Sequence, residues 1–206
     1  MGLLPRSAAR GLQRSVGFVT FPSIEIALPP WIGDVCEPGQ TFATVEERVD
    51  LTLALARSNF EHETGGPFGS AVFDNDGRLI APGVNMVVPN NFAGAHAEIV
   101  AIGIAGQILG NFTFAEHWTE IVASTEPCAM CLGAIPWSGV KRLVCSARDE
   151  DASAIGFEEG DKPADWGDKL KTRGIEVLRD VKRDDGARVL VDYVKAGGVI
   201  YNGDTA

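Results

Sequence analysis

The sequence predicts a single layered α/β domain, with helices on both faces of one sheet. Three observations lead there. Short apolar, β-branched runs alternate along the chain with longer helical segments instead of being grouped together. The 206 residues, 45% of them hydrophobic, suffice for one substantial core but are short for two. No internal repeat and no interior linker divides the chain.

Taken in order, the elements begin with Pro29-Pro30-Trp31-Ile32, which reads as an extended lead-in. A helix follows, with Thr44 as N-cap and Glu47 completing a capping box, and ends near Asn59. Gly65-Gly66-Pro67 breaks the chain before a strand from Phe68 to Phe73. The turn Asp74-Asn75-Asp76-Gly77 returns it as a hairpin over Arg78 to Val87. After the loop Pro89-Asn90-Asn91, an apolar helix opens at His96 and runs to about Ile108. Thr119 to Ser124 is a buried strand, a helix starts near Cys128, and Lys141 to Ser146 is another strand. The stretch from Asp149 to Asp165 reads as a long polar loop, in which Asp149, Glu150 and Asp151 form a solvated turn. A helix around Trp166 to Thr172, a strand from Ile175 to Leu178 and an amphipathic helix from Ala187 to Lys195 complete the domain. Glu61, His62 and His117 read as surface polar residues.

Residues 1–24 differ in kind. Arg6, Arg10 and Arg14 are interspersed with Leu, Ala and Ser, and no acidic residue precedes Glu25. Such a composition occurs in transit peptides, but a flexible or non-native tail is the simpler reading, leaving 25–206 as the domain.

Charge and cysteine usage narrow the function. The formal net charge of −10 repels polyanions and argues against a nucleic-acid partner. No apolar run is long enough to cross a bilayer, so no membrane partner is expected. Four cysteines, Cys36, Cys128, Cys131 and Cys145, are too few for a disulfide scaffold of this size and point to the cytoplasm. Cys145, in the run Arg142-Leu143-Val144-Cys145, reads as a small buried hydrophobe.

The remaining pair carries chemistry. A hydrolytic zinc site needs three protein ligands and an open position for water. His96, Cys128 and Cys131 supply that set, the cysteines three apart on one helix face. Pro127 suits a helix start, where free N–H groups favour a thiolate. Glu98, two residues past the histidine, is placed to face the open position and to move protons. A closed structural zinc site would need a fourth ligand, and a non-catalytic zinc-binding interaction module has no use for Glu98.

Together, His96-Ala97-Glu98 and Pro127-Cys128-Ala129-Met130-Cys131 resemble the signature of zinc deaminases. The chain is similar to the cytidine-deaminase-like superfamily, and within it to bacterial guanine deaminases, some of which also act on the s-triazine ammeline. Segments beyond the zinc motif carry the closer likeness: Gly66-Pro67-Phe68, Asn85-Met86-Val87-Val88-Pro89, Trp137-Ser138-Gly139-Val140, Ala154-Ile155-Gly156-Phe157-Glu158-Glu159-Gly160 and Gly198-Val199-Ile200-Tyr201-Asn202. The resemblance implies a three-layer α/β/α sandwich around a five-stranded mixed sheet, bound Zn2+, a homodimer, and hydrolysis of guanine to xanthine and ammonia. It implies Glu98 and Glu159 as catalytic acids, with Glu158 the alternative if the register slips by one. Asn85, Phe68, Ala97, Trp137 and Tyr201 are implied at the substrate, Tyr201 in a closing C-terminal segment. Read as residues alone, Glu158 and Glu159 are equally a solvated pair, and Phe68 a core residue. Gly110-Asn111-Phe112-Thr113-Phe114 matches nothing in the family. The rival readings are a tRNA adenosine deaminase, opposed by the charge, and a pyrimidine deaminase, opposed by Phe157-Glu158-Glu159.

Overall fold

The computed structural model describes residues 22–203, so nearly all of the expected tail lies outside the described residues. Five strands form one mixed sheet: β1 (Gly69–Asp74), β2 (Leu79–Val84), β3 (Thr119–Thr125), β4 (Arg142–Ala147) and β5 (Glu176–Leu178), in the order β2-β1-β3-β4-β5. β1 runs antiparallel to both neighbours, while β3, β4 and β5 are mutually parallel. The helices are α1 (Ile32–Val35), α2 (Val45–Glu61), α3 (Val87–Asn90), α4 (Ala97–Leu109), α5 (Ala129–Ser138), α6 (Asp149–Ala154), α7 (Trp166–Thr172) and α8 (Arg183–Lys195).

Strand alternation sorts the core into two layers. Ala71, Phe73, Val122 and Val144 face α1, α2 and α8. Val72, Ile121, Leu143 and Cys145 face the opposite way, onto α4, α5 and α7. The result is the three-layer α/β/α sandwich. A register shift between Val72 and Phe73 adds a residue to β2, so Leu79 joins the first layer and Ala81 the second.

Local chemistry explains most boundaries. Thr44 and Glu47 exchange both capping-box bonds at 3.1 Å, starting α2 where the sequence predicts. β3 is buried along its whole length because it has a strand on either side and a helix layer on each face. Its one carboxylate, Glu120, is fully enclosed and held between Arg48 from α2 and Arg142 from β4.

Three segments differ from expectation. Pro29-Pro30 leads into a single helical turn, since Ile32 N–H donates to the Pro29 carbonyl at 3.1 Å. Trp31 is thereby buried, stacked on His62 and bonded through Nε1 to Thr64. The loop at Pro89 forms the one-turn α3, stopped by Asn91 at a left-handed φ of 49°. The polar stretch after β4 opens with α6. Asp151 accepts from Arg148 N–H at 2.8 Å, and the three acidic residues read as a turn lie at the positive end of the helix.

Candidate active site

The site forms along one edge of the sheet, where β1 begins and β2, β3 and β4 end. β2 delivers Asn85, the residue before β1 is Phe68, and β3 runs on through Glu126 and Pro127 to Cys128. α4 points its N-terminus at the same place.

Two of the three sequence-predicted ligands occupy helix N-caps. His96 precedes α4 and Cys128 precedes α5, both with extended backbone, so their side chains leave the helix ends toward each other. Cys131 lies in the first turn of α5. The donor atoms of His96, Cys128 and Cys131 all fall within 4.8 Å of one another, and Cys128 Sγ is 3.4 Å from His96 Nδ1. Hydrogen bonding from the Cys131 thiol and then from His96 holds the Cys128 thiol down at about 4, against the opposing effect of burial. A soft, ionised sulfur beside an imidazole and a second thiol is a donor set that fits zinc.

His96 and Cys128 open onto a cavity of about 220 Å3, which Phe68, Asn85, Glu98, Glu159 and Tyr201 also help to line. Glu98 is buried, and burial raises its carboxyl above the ordinary glutamate value. Glu159 is pushed up to about 8, by burial first and then by the negative charges of Cys128, Asp149 and Glu98. Glu158, by contrast, is exposed. The Glu159 carbonyl also accepts from Ala129 N–H at 2.8 Å, tying its loop to the start of α5.

Asn85 is held from behind. Asn59, fully buried in α2, donates its side-chain amide to the carbonyls of Asn85 at 2.8 Å and Gly66 at 2.9 Å. The Asn85 side chain itself makes one long bond, accepting from Val87 N–H at 3.4 Å.

The outer wall is aromatic. Phe157 packs edge-on against both Phe68 and Tyr201, with centroids 5.0 and 5.2 Å away. The tail carrying Tyr201 is fixed within the same chain. Tyr193 donates its hydroxyl to the Val199 carbonyl at 2.6 Å, and Asn202 bonds the backbone of Gly156 and Glu158. The Tyr201 hydroxyl has no hydrogen-bond partner and lies against Gly66, where any Cβ would stand 2.1 Å from it.

Two predicted substrate residues lie elsewhere in this chain. Ala97 is buried in the first turn of α4 but does not line the cavity. Trp137 sits near the far end of α5 and is 84% exposed, lining a separate cleft with Trp166. The nine residues from Cys128 to Trp137 carry it roughly 13 Å along the helix axis, which is why it misses the cavity. Sequence reasoning assigned no role to Ser124, Glu126, Phe157 and Asn202, all of which line the cavity. Glu126 adjoins the Pro-Cys motif, and that adjacency was the only available signal.

Residues 44–147, about half the chain, match the cytidine and deoxycytidylate deaminase zinc-binding region. A guanine deaminase from Bacillus subtilis (strain 168) is 42% identical over 119 residues, covering 55% of this chain and 74% of that protein. The solved guanine deaminase from Nitrosomonas europaea is 40% identical with a TM-score of 0.79, over 83% of this chain and 96% of that one. The protein NE0047, solved with 2,6-diaminopurine, is 42% identical with a TM-score of 0.82, over 87% of this chain and 97% of that one. On these matches the chain belongs to the cytidine and deoxycytidylate deaminase family.

Proposed function

We propose that the chain is a zinc-dependent aminohydrolase that converts guanine to xanthine and ammonia, and that it also accepts ammeline. The observation that carries this reading is the buried Glu98 carboxyl beside a His/Cys/Cys donor set in a cavity of about 220 Å3. That volume is below the roughly 300–1,000 Å3 of sites for drug-sized ligands and suits a single base. The guanine deaminases among its relatives, and a neighbour holding 2,6-diaminopurine, support a free purine.

His96, Cys128 and Cys131 would hold the zinc, and Glu98 and Glu159 would do the proton work. When bound, zinc supplies a Lewis acid that makes water nucleophilic near neutral pH. Glu98 takes a proton from the water as oxygen adds to C2 of guanine, and gives one to the adjacent ring nitrogen. The exocyclic amine then leaves from C2 as ammonia, so water is consumed and the ring gains a carbonyl. Glu159 faces the amine and the neighbouring ring N–H, where carboxyl oxygens complement two donors side by side. Asn85 offers an amide that both donates and accepts toward the ring, Phe68 provides an apolar wall, and Tyr201 closes the outer side.

The same reading takes 25–206 as one domain, working as a homodimer in the cytoplasm. The exposed Met130 and Trp137 on α5 offer apolar surface for a second copy, and four unpaired cysteines suit a reducing compartment. The test is ammonia release from guanine, ammeline, adenine, cytosine, cytidine, guanosine and an anticodon-stem RNA. Guanine should be the preferred substrate. A preference for a nucleoside or for RNA overturns the assignment.

A further inference from the structure

The loop 157–165, which carries Glu159, has no regular secondary structure, so its position depends on side chains and single backbone bonds. One of these is the Glu159 carbonyl bond to Ala129. Another joins Glu158 N–H to Asn202, and a third comes from Lys162, whose side chain is only 6% exposed. Its Nζ donates to the Pro127 carbonyl at 2.6 Å and pairs with Asp149. The Pro127 carbonyl belongs to the peptide bond that enters Cys128. Lys162 therefore grips the backbone directly beside a ligand thiolate, from the loop that holds the second acid.

A buried ammonium is costly unless matched, and this one is matched through a chain of charges. Asp149 N–H donates to one Glu126 oxygen at 3.3 Å, and Arg179 donates to the other at 2.5 Å. Lys162 and Arg179 both lie over the Trp166 ring, 5.6 and 5.1 Å from its centroid. Two cations, two carboxylates joined through the Asp149 backbone N–H, and one indole thus link the end of β3, the start of α6, the start of α7 and the segment after β5. Lys162 does not line the cavity, so it is not a group that touches substrate.

We propose that Lys162 is a positioning residue, which sets the spacing between Glu159 and the Cys128 thiolate by clamping the Glu159 loop to the Pro127 carbonyl. The proposal rests on the deamination reading above. Its logic is that of outer-shell partners generally, whose loss costs roughly 10- to 100-fold in metal affinity or activity.

The test uses the full chain loaded with zinc, and three variants: Lys162→Met, Lys162→Arg and the double change Lys162→Met with Asp149→Asn. The double change removes both charges, so a fold that rejects an unpaired Asp149 is still tested. Guanine kcat and KM are measured beside the rate at which EDTA strips the zinc. For Lys162→Met and the double variant, kcat should fall roughly 10- to 100-fold and zinc loss should quicken by a similar factor. KM should rise by a smaller factor than kcat falls, because Lys162 itself touches no substrate. Lys162→Arg should recover most of both losses. A folded double variant with wild-type kcat overturns the proposal. If the wild-type protein releases no ammonia from guanine, the reaction assignment falls instead, and zinc loss alone decides: an unchanged rate in the double variant then overturns the role of Lys162.

Discussion

Asn59 and Asn85 are joined by a 2.8 Å bond from the side-chain amide of the first to the backbone carbonyl of the second. The same amide reaches Gly66, so one buried side chain aligns both segments that flank the cavity. Asn59→Leu leaves the Asn85 carbonyl without that donor, at about 1–3 kcal/mol, while the Gly66 carbonyl keeps its bond from Phe68 N–H at 2.9 Å. The melting temperature should drop, and KM for guanine should rise while zinc content stays at the wild-type level. Calorimetry and steady-state kinetics read the two effects. An unchanged KM in a folded variant would show that Asn85 needs no support from α2.

Glu98→Gln keeps the size of the side chain and removes its ability to carry a proton. Ammonia release should fall by at least roughly 10²-fold, the range expected when general acid–base catalysis is lost. Zinc content and melting temperature should remain near wild type, because the three donor residues are intact. Full activity in this variant would sink the proton-transfer role.

Glu120 is fully enclosed between Arg48 and Arg142. Removing one member of a buried pair leaves the rest of the charge unmatched, which costs about 3–5 kcal/mol. Glu120→Ala should therefore shift the urea midpoint sharply downward with little change in slope. A shift worth under about 1 kcal/mol would mean that Arg48 finds water or another acceptor.

Acid should weaken the domain partly through Asp151. A hydrogen bond from Arg183 holds this carboxyl below the ordinary aspartate value. A carboxyl depressed in the folded state adds stability above its unfolded pKa of about 3.9, and that stability is lost as pH falls through the folded value. Asp151→Asn should thus melt below wild type near pH 6, and the two curves should converge as pH falls through the depressed folded value. A constant gap across that range would remove the linkage.

The pairs His96/Glu98 and Cys128/Cys131, which the structure brings together, and the α2 capping box were legible because each depends on spacing within a few residues. The layer order was legible too, from helices alternating with strands. The choice between Glu158 and Glu159 was not, since two adjacent acids have the same composition and only burial separates them. α6 was missed because an acidic first turn looks like a solvated turn until its bond to Arg148 is seen. Lys162, Glu126 and Arg179 lie far apart in sequence and meet only through the parallel strand order. Trp137 is the opposite case: its motif was visible, but the direction of α5 carries it away from this chain's own cavity.

The sheet edge has one more consequence. The zinc donors and Glu98 leave it by the connections into α4 and α5, whereas Asn85, Glu159 and Tyr201 arrive on three separate segments. The donor set and Glu98 are therefore housed in different stretches of chain from Asn85 and Tyr201, while Glu159 is the one residue proposed to serve both the proton work and the contact to the base. A substitution at Asn85 or Tyr201 therefore reshapes the cavity wall while leaving His96, Glu98, Cys128 and Cys131 undisturbed in their own connections.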